Sequence, residues 1–134
     1  MNVILSIHPE YVEKIISEEK KYEFRRKIFK QDVEQIVVYS TCPVKRIECI
    51  FEIKEIFEET PEQLWENYHD FGCISKKNFF KYFENTDKGY AIEIKNVKKL
   101  IKPIDKFNED FTIPQSFRYL SEEEFNLIVE SNLY

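Results

Sequence analysis

Hydrophobic positions along this chain recur in two periods, and the switches between them mark out strands interrupted by short helices. Val3 to Ile7 is an apolar run of strand length. Pro9 and Glu10 then open a helix whose buried stripe is Val12, Ile15 and Ile16. A second strand is expected at Lys21 to Arg26. Successive strand side chains point to opposite faces, so Tyr22 and Phe24 share one face and Lys21, Glu23 and Arg25 the other. Gln35 to Thr41 is rich in β-branched residues, and in Arg46 to Phe57 the positions Ile47, Cys49, Phe51 and Ile53 alternate with mostly polar neighbours. Cys42-Pro43 parts these two strands.

The second half adds helices. Thr60-Pro61-Glu62-Gln63 spells a capping box, followed at helical spacing by Leu64, Trp65 and Tyr68. Ser75 caps a further helix that turns Phe79, Phe80 and Phe83 inward. Lys88 to Val97 returns to strand character with Tyr90, Ile92 and Ile94 on one face, a bend is expected near Asn96, and the pattern runs on irregularly to Pro103. Ser121-Glu122-Glu123-Glu124 is a second capping box, opening a final helix with Phe125, Ile128 and Val129. Strands mixed with irregularly placed helices indicate an α+β domain, not a doubly wound sheet.

Size and charge narrow the picture. A chain of 134 residues with 43% hydrophobic content supports one core, so a single domain over 1–134 is expected. The net charge of -5 excludes a protein that coats long nucleic acid by charge alone, which needs a broad basic surface. A small basic patch remains: Lys20, Lys21, Arg25, Arg26, Lys27 and Lys30 are opposed only by Glu23, whereas Glu48 to Asp70 is acidic apart from Lys54. No segment approaches the roughly 20 apolar residues that cross a bilayer, and no leader pattern opens the chain, so no membrane association and a cytoplasmic location are expected. Cys42, Cys49 and Cys73 are odd in number and lack Cys-x-x-Cys spacing, which argues against a disulfide framework and a zinc site. His69 and Cys73 are two ligands at most, interrupted by Gly72, so neither metal nor cofactor is expected. Cys49 reads as core packing.

The richest segment for chemistry is Glu18-Glu19-Lys20-Lys21-Tyr22-Glu23-Phe24-Arg25. A carboxylate and a guanidinium two residues apart on one strand face form a compact acceptor and donor pair, suited to a nucleobase; a charged edge strand that discourages aggregation is the alternative. This segment also resembles the ASCH domain of the PUA-like superfamily, and the chain is similar to a small, stand-alone prokaryotic-type member. The family's signature is Gly-x-Lys-x-x-Glu-x-Arg after an N-terminal strand and helix. Lys20, Glu23 and Arg25 fall on its Lys, Glu and Arg, after Ile4-Leu5-Ser6-Ile7 and the helix from Pro9. Glu18 stands at the Gly position, where a helix ends and positive φ is often needed, so Glu18 either adopts that conformation at a cost or ends the helix differently. The resemblance continues through Val37 to Thr41, Phe51 to Ile53 and Tyr90 to Ile92, and implies a PUA-like mixed β-barrel flanked by helices.

Barrels of this kind leave a cleft where strand ends and loops converge. By resemblance the signature strand contributes to it, making Lys20, Glu23 and Arg25 the first candidates. Tyr39, Ser40 and Thr41 end a neighbouring strand in hydroxyls that suit a base or ribose; an ST-turn before Pro43 is the alternative. Gln115, Ser116, Phe117, Arg118 and Tyr119 offer an amide, a guanidinium and two aromatics for stacking on a base, with packing of Phe117 and Tyr119 on the barrel as the alternative. The function implied is binding of RNA, or of a nucleotide-like small molecule, through an unpaired or modified base, with a role in RNA metabolism or regulation. A hydrolase acting on RNA or modified nucleosides is the rival, with Lys20 and Glu23 as its catalytic pair. In the amidohydrolase-like branch of the family the Glu position holds a nucleophilic Thr, which Glu23 replaces here. A third reading is a protein-interaction module whose acidic Glu48 to Asp70 stretch docks a basic partner.

Overall fold

The computed structural model describes residues 1–105 and 110–132, and within them one six-stranded mixed sheet curls into a half-barrel. The strands are β1 (Asn2–Ile7), β2 (Tyr22–Arg25), β3 (Gln35–Ser40), β4 (Arg46–Glu59), β5 (Gly89–Ile104) and β6 (Phe117–Leu120), in the spatial order β2-β5-β4-β3-β1-β6. The α-helices are α1 (Pro9–Ile16), α2 (Pro61–Tyr68), α3 (Lys76–Tyr82) and α4 (Glu122–Glu130). β1 and β3 pair in parallel, and the other ladders are antiparallel.

The near-continuous apolar run of β1 follows from burial on both faces, as is usual for a central parallel strand. Val3, Leu5 and Ile7 pack with Val12 and Ile15 of α1, while Ile4 faces a second cluster that includes Ile128 of α4. A third cluster gathers Phe24 and Ala91 with Leu64, Phe79 and Phe83 of the α2–α3 insertion. Phe24 therefore turns outward under those helices, and Glu23 and Arg25 are left on the concave side.

β4 and β5 are long, and their ladder shifts register at three places. One consequence departs from the simple alternation read in β4. Ile47 and Cys49 lie in different clusters, because shifts at Val38/Tyr39 and between Ile47 and Cys49 change which face follows. Cys49 is fully buried, and burial, with Glu48 adding to it, pushes its thiol up to about 12, so it acts as a packing residue. The bend in β5 occurs at Asn96, with φ of 51°. Both capping boxes form: Thr60 Oγ1 accepts from Gln63 N, and Ser121 Oγ from Glu124 N. Among the described residues, no helix is long and apolar enough to cross a membrane.

Glu18 resolves the question posed at the end of α1. It takes φ of 64°, and its N–H donates to Ile15 O at 3.0 Å, while Lys20 N donates to Lys14 O at 3.0 Å. The chain thus closes α1 with a left-handed residue that carries a side chain, and this turn delivers Lys20 into the interior.

Candidate functional site

The site is built where α1 ends and β2 begins. The Lys20 side chain is 2% exposed, running between the rings of Tyr11 and Phe24, each centroid 5.3 Å from Nζ. Its Nζ donates to Gly72 O at 2.5 Å and stands 3.8 Å from Glu23 Oε1. Gly72 permits this because a Cβ there would fall 2.6 Å from Phe24 Cε2, so a larger residue would push the ring and carbonyl away from the ammonium. Burial lowers the Lys20 pKa, opposed by the charges of Glu23 and Cys73.

Glu23 is itself 5% exposed, and its second oxygen, Oε2, accepts from Arg25 Nη1 at 3.2 Å. Arg25 also reaches Ser116 Oγ at 2.5 Å and Ser6 O at 3.5 Å. The carboxylate is thereby clamped between an ammonium and a guanidinium. Glu23 Oε1 faces the Lys20 ammonium at the longer distance of 3.8 Å, so that oxygen keeps acceptor capacity beyond this ion pair.

These groups border a cleft of 1150 Å³. It brings together Lys20, Glu23, Arg25, Thr41, Gln115 and Ser116, each singled out in the sequence. The loop carrying Gln115 and Ser116 is pinned by Ser6, whose N–H donates to Ser116 O at 2.9 Å and whose Oγ donates to Pro114 O at 2.6 Å.

Five of the sequence candidates lie off the cleft. Tyr39 packs with Ile4 and Val37 in the second cluster, and Ser40, 1% exposed, lies in β3 and does not line the cleft. A backbone turn follows Thr41, whose carbonyl accepts from Val44 N and Lys45 N. Phe117 and Tyr119 lie in β6, a strand not anticipated from the sequence, and pack on the first cluster; the Tyr119 hydroxyl accepts from Lys30 N and Gln31 N. Arg118 is committed to Glu124, to Thr112 O and to the Phe111 ring.

The cleft also contains residues the sequence pattern did not single out. His8 and Tyr11 flank Lys20 from the start of α1, and burial followed by the charges of Glu10 and Glu23 raises the Tyr11 pKa. Arg26 and Lys27 continue from β2, and Lys81 and Tyr82 come from α3. The basic run from Lys20 to Lys30 gave the signal for Arg26 and Lys27, but nothing local connected α3 to β2. Lys21 lies outside the main cleft and borders a smaller recess with Lys54 and Lys95.

The ASCH sequence profile matches residues 5–108. The chain belongs to the ASCH family. A protein named ASCH domain-containing ribonuclease, from Zymomonas mobilis, is 31% identical over 132 residues, covering 94% of this chain and 88% of that one. A crystal structure of ASCH from Zymomonas mobilis superposes with a TM-score of 0.89 at 28% identity, covering 96% of this chain and 94% of its own. A mutant of that ASCH gives a TM-score of 0.91 at 27% identity, covering 98% and 96%. The PUA-like α+β fold expected from the resemblance is thus present, its mixed sheet curled into a half-barrel and, among the described residues, not closed into a barrel.

Proposed function

We propose that this ASCH protein binds RNA by taking an unpaired or modified base into the 1150 Å³ cleft. The observation that carries the reading is the clamped Glu23. A buried carboxylate held by Lys20 and Arg25 keeps Oε1 open to a base amino or imino group, and Arg25 beside it supplies a donor for a carbonyl oxygen. Tyr11 and His8 offer ring faces at the same opening. The name of the Zymomonas mobilis relative supports RNA as the class of partner.

That name also supports a second reading, hydrolysis of RNA. Its strongest local support is the buried pair of Lys20 and Glu23, 3.8 Å apart, in which burial lowers the Lys20 pKa. Against it stands the short bond from Nζ to Gly72 O, and Glu23 takes the place where, by the family resemblance, the amidohydrolase-like branch holds a nucleophilic Thr. Binding is the better fit.

Anisotropy titration of labelled single-stranded RNA tests the reading. Glu23→Gln is expected to weaken binding at least ten-fold while thermal unfolding stays cooperative. Unchanged affinity in this variant overturns it, and cleavage of the RNA by the wild type, lost in Lys20→Met, would establish the hydrolytic reading instead.

A further inference from the structure

We infer that the mouth of the cleft holds a second subsite, for the phosphate and ribose of the neighbouring nucleotide, so that the ligand is an RNA strand and not a free nucleoside. This rests on the base-binding reading and extends it to residues outside the signature. The subsite is formed by Arg26, Lys27 and Lys81 with Tyr82.

The first argument is size. At 1150 Å³ the cleft exceeds the roughly 300–1,000 Å³ typical of pockets for single small molecules. Lys20, Glu23 and Arg25 occupy its floor, so a base engaged there leaves the outer volume to be filled. A neighbouring nucleotide fills it.

The second argument is charge. Arg26, Lys27 and Lys81 make no side-chain ion pair or hydrogen bond among the described residues, although all three border the cleft in a chain of net charge -5. Glu84 and Asp87 border it as well, so the anion-binding part is confined to these three cations. Such confinement suits one or two phosphates and disfavours a long polyanion.

The third argument is preorganisation. The Tyr82 hydroxyl accepts from Arg26 N at 3.1 Å, and the Arg26 guanidinium lies 4.8 Å from the Tyr82 ring centroid. Stacking on the ring restrains the planar fork while leaving its N–H donors free at the edge. The contact joins the end of β2 to the last turn of α3, which places Lys81 in the same wall.

The test compares a random-sequence RNA tetramer with the four free ribonucleosides, using anisotropy for the tetramer and NMR titration for the nucleosides. The tetramer is expected to bind at least ten-fold more tightly. An Arg26→Ala, Lys81→Ala double variant should lose about ten-fold for the tetramer and less than two-fold for any nucleoside. For the wild type, log K for the tetramer should fall with log salt at a slope of at least about -0.7, one phosphate contact on a single strand. Equal affinity for tetramer and nucleosides, a double variant that binds the tetramer normally, or a flat salt dependence overturns the second subsite and leaves the base pocket standing. Failure of the wild type to bind either probe overturns both. Arg26→Lys keeps the charge at an exposed position but not the stacked fork, so its tetramer affinity should fall between those of the wild type and the double variant, with thermal unfolding unchanged; affinity as low as that of the double variant would overturn the charge argument.

Discussion

Arg25 Nη2 donates to Ser116 Oγ at 2.5 Å, linking β2 at one edge of the sheet to the residue just before β6 at the other. Among the described residues β2 pairs only with β5 and β6 only with β1, so no backbone ladder joins the two edges. The same guanidinium neutralises Glu23. Arg25→Ala is therefore expected to destabilise the protein by about 2 to 4 kcal/mol, because it leaves a buried carboxylate short of a partner as well as opening the edge contact. Ser116→Ala should cost about 1 kcal/mol. Urea unfolding of both variants checks the difference; equal losses would mean that Arg25 does not hold Glu23.

Lys20 gives an alkaline signature. Burial lowers its pKa in the fold, so between that depressed value and the ordinary lysine value of 10.5 the unfolded chain binds the proton more strongly. Stability contributed by this group rises with pH across that window. The tyrosines with raised values, Tyr11 among them, act in the opposite sense near pH 10, so the comparison is made against Lys20→Met, which keeps them. The stability of the wild type relative to Lys20→Met should increase as pH rises toward 10.5, read from denaturant midpoints at several pH values. A pH-independent difference would contradict a depressed Lys20.

Glu18 occupies the left-handed conformation with φ of 64° at the point where the family signature has Gly. A residue with a Cβ pays roughly 1–2 kcal/mol there, offset by the greater chain entropy that Gly loses on folding. Glu18→Gly is thus expected to stabilise the protein by about 0.5–1 kcal/mol, with no change in ligand affinity. Thermal unfolding measures it, and a lowered midpoint would show that the Glu18 side chain stabilises the turn.

Arg118 is expected to be structural. Its guanidinium donates to both oxygens of Glu124, at 3.1 and 2.9 Å, and fastens β6 to α4. The hydrogen bond from Arg118, with help from Ser121, lowers the Glu124 pKa despite partial burial. The stability this contributes is present above the ordinary carboxylate value of 4.5 and is lost as pH falls through the depressed folded value. Arg118→Met should cost about 1–2 kcal/mol at neutral pH, less at acid pH, and should leave RNA affinity unchanged. A loss of RNA affinity at constant stability would return Arg118 to the binding surface.

The pattern of side chains made much of this molecule legible. The β-branched run of Gln35 to Thr41, the alternation in Lys88 to Val97, the Pro9 helix start and the two capping boxes are short-range signals, and each produced its element. Strand geometry alone places Glu23 and Arg25 on one face, but it puts Lys21 beside them, and Lys20 is singled out by the family signature. What escaped was set by distant partners. Phe117 to Leu120 is too short to declare itself a strand and becomes one by pairing with β1. Tyr39 and Arg118 look like recognition groups in isolation, but the packing of α4 against β1 and β3 claims them. Tyr82 meets Arg26 across 56 residues of sequence, a proximity no periodicity encodes.

The position of β2 at the margin of the sheet has a dynamic consequence. Like β6, β2 is a four-residue strand with a sheet neighbour along one side only, a kind of segment prone to breathe, and its outer side is steadied by Arg25. A guest that grips Glu23 and Arg25 stiffens this seam from within. Filling of the hollow can thus be followed without any label on the guest, as slowed deuterium uptake at Tyr22, Glu23, Phe24 and Arg25.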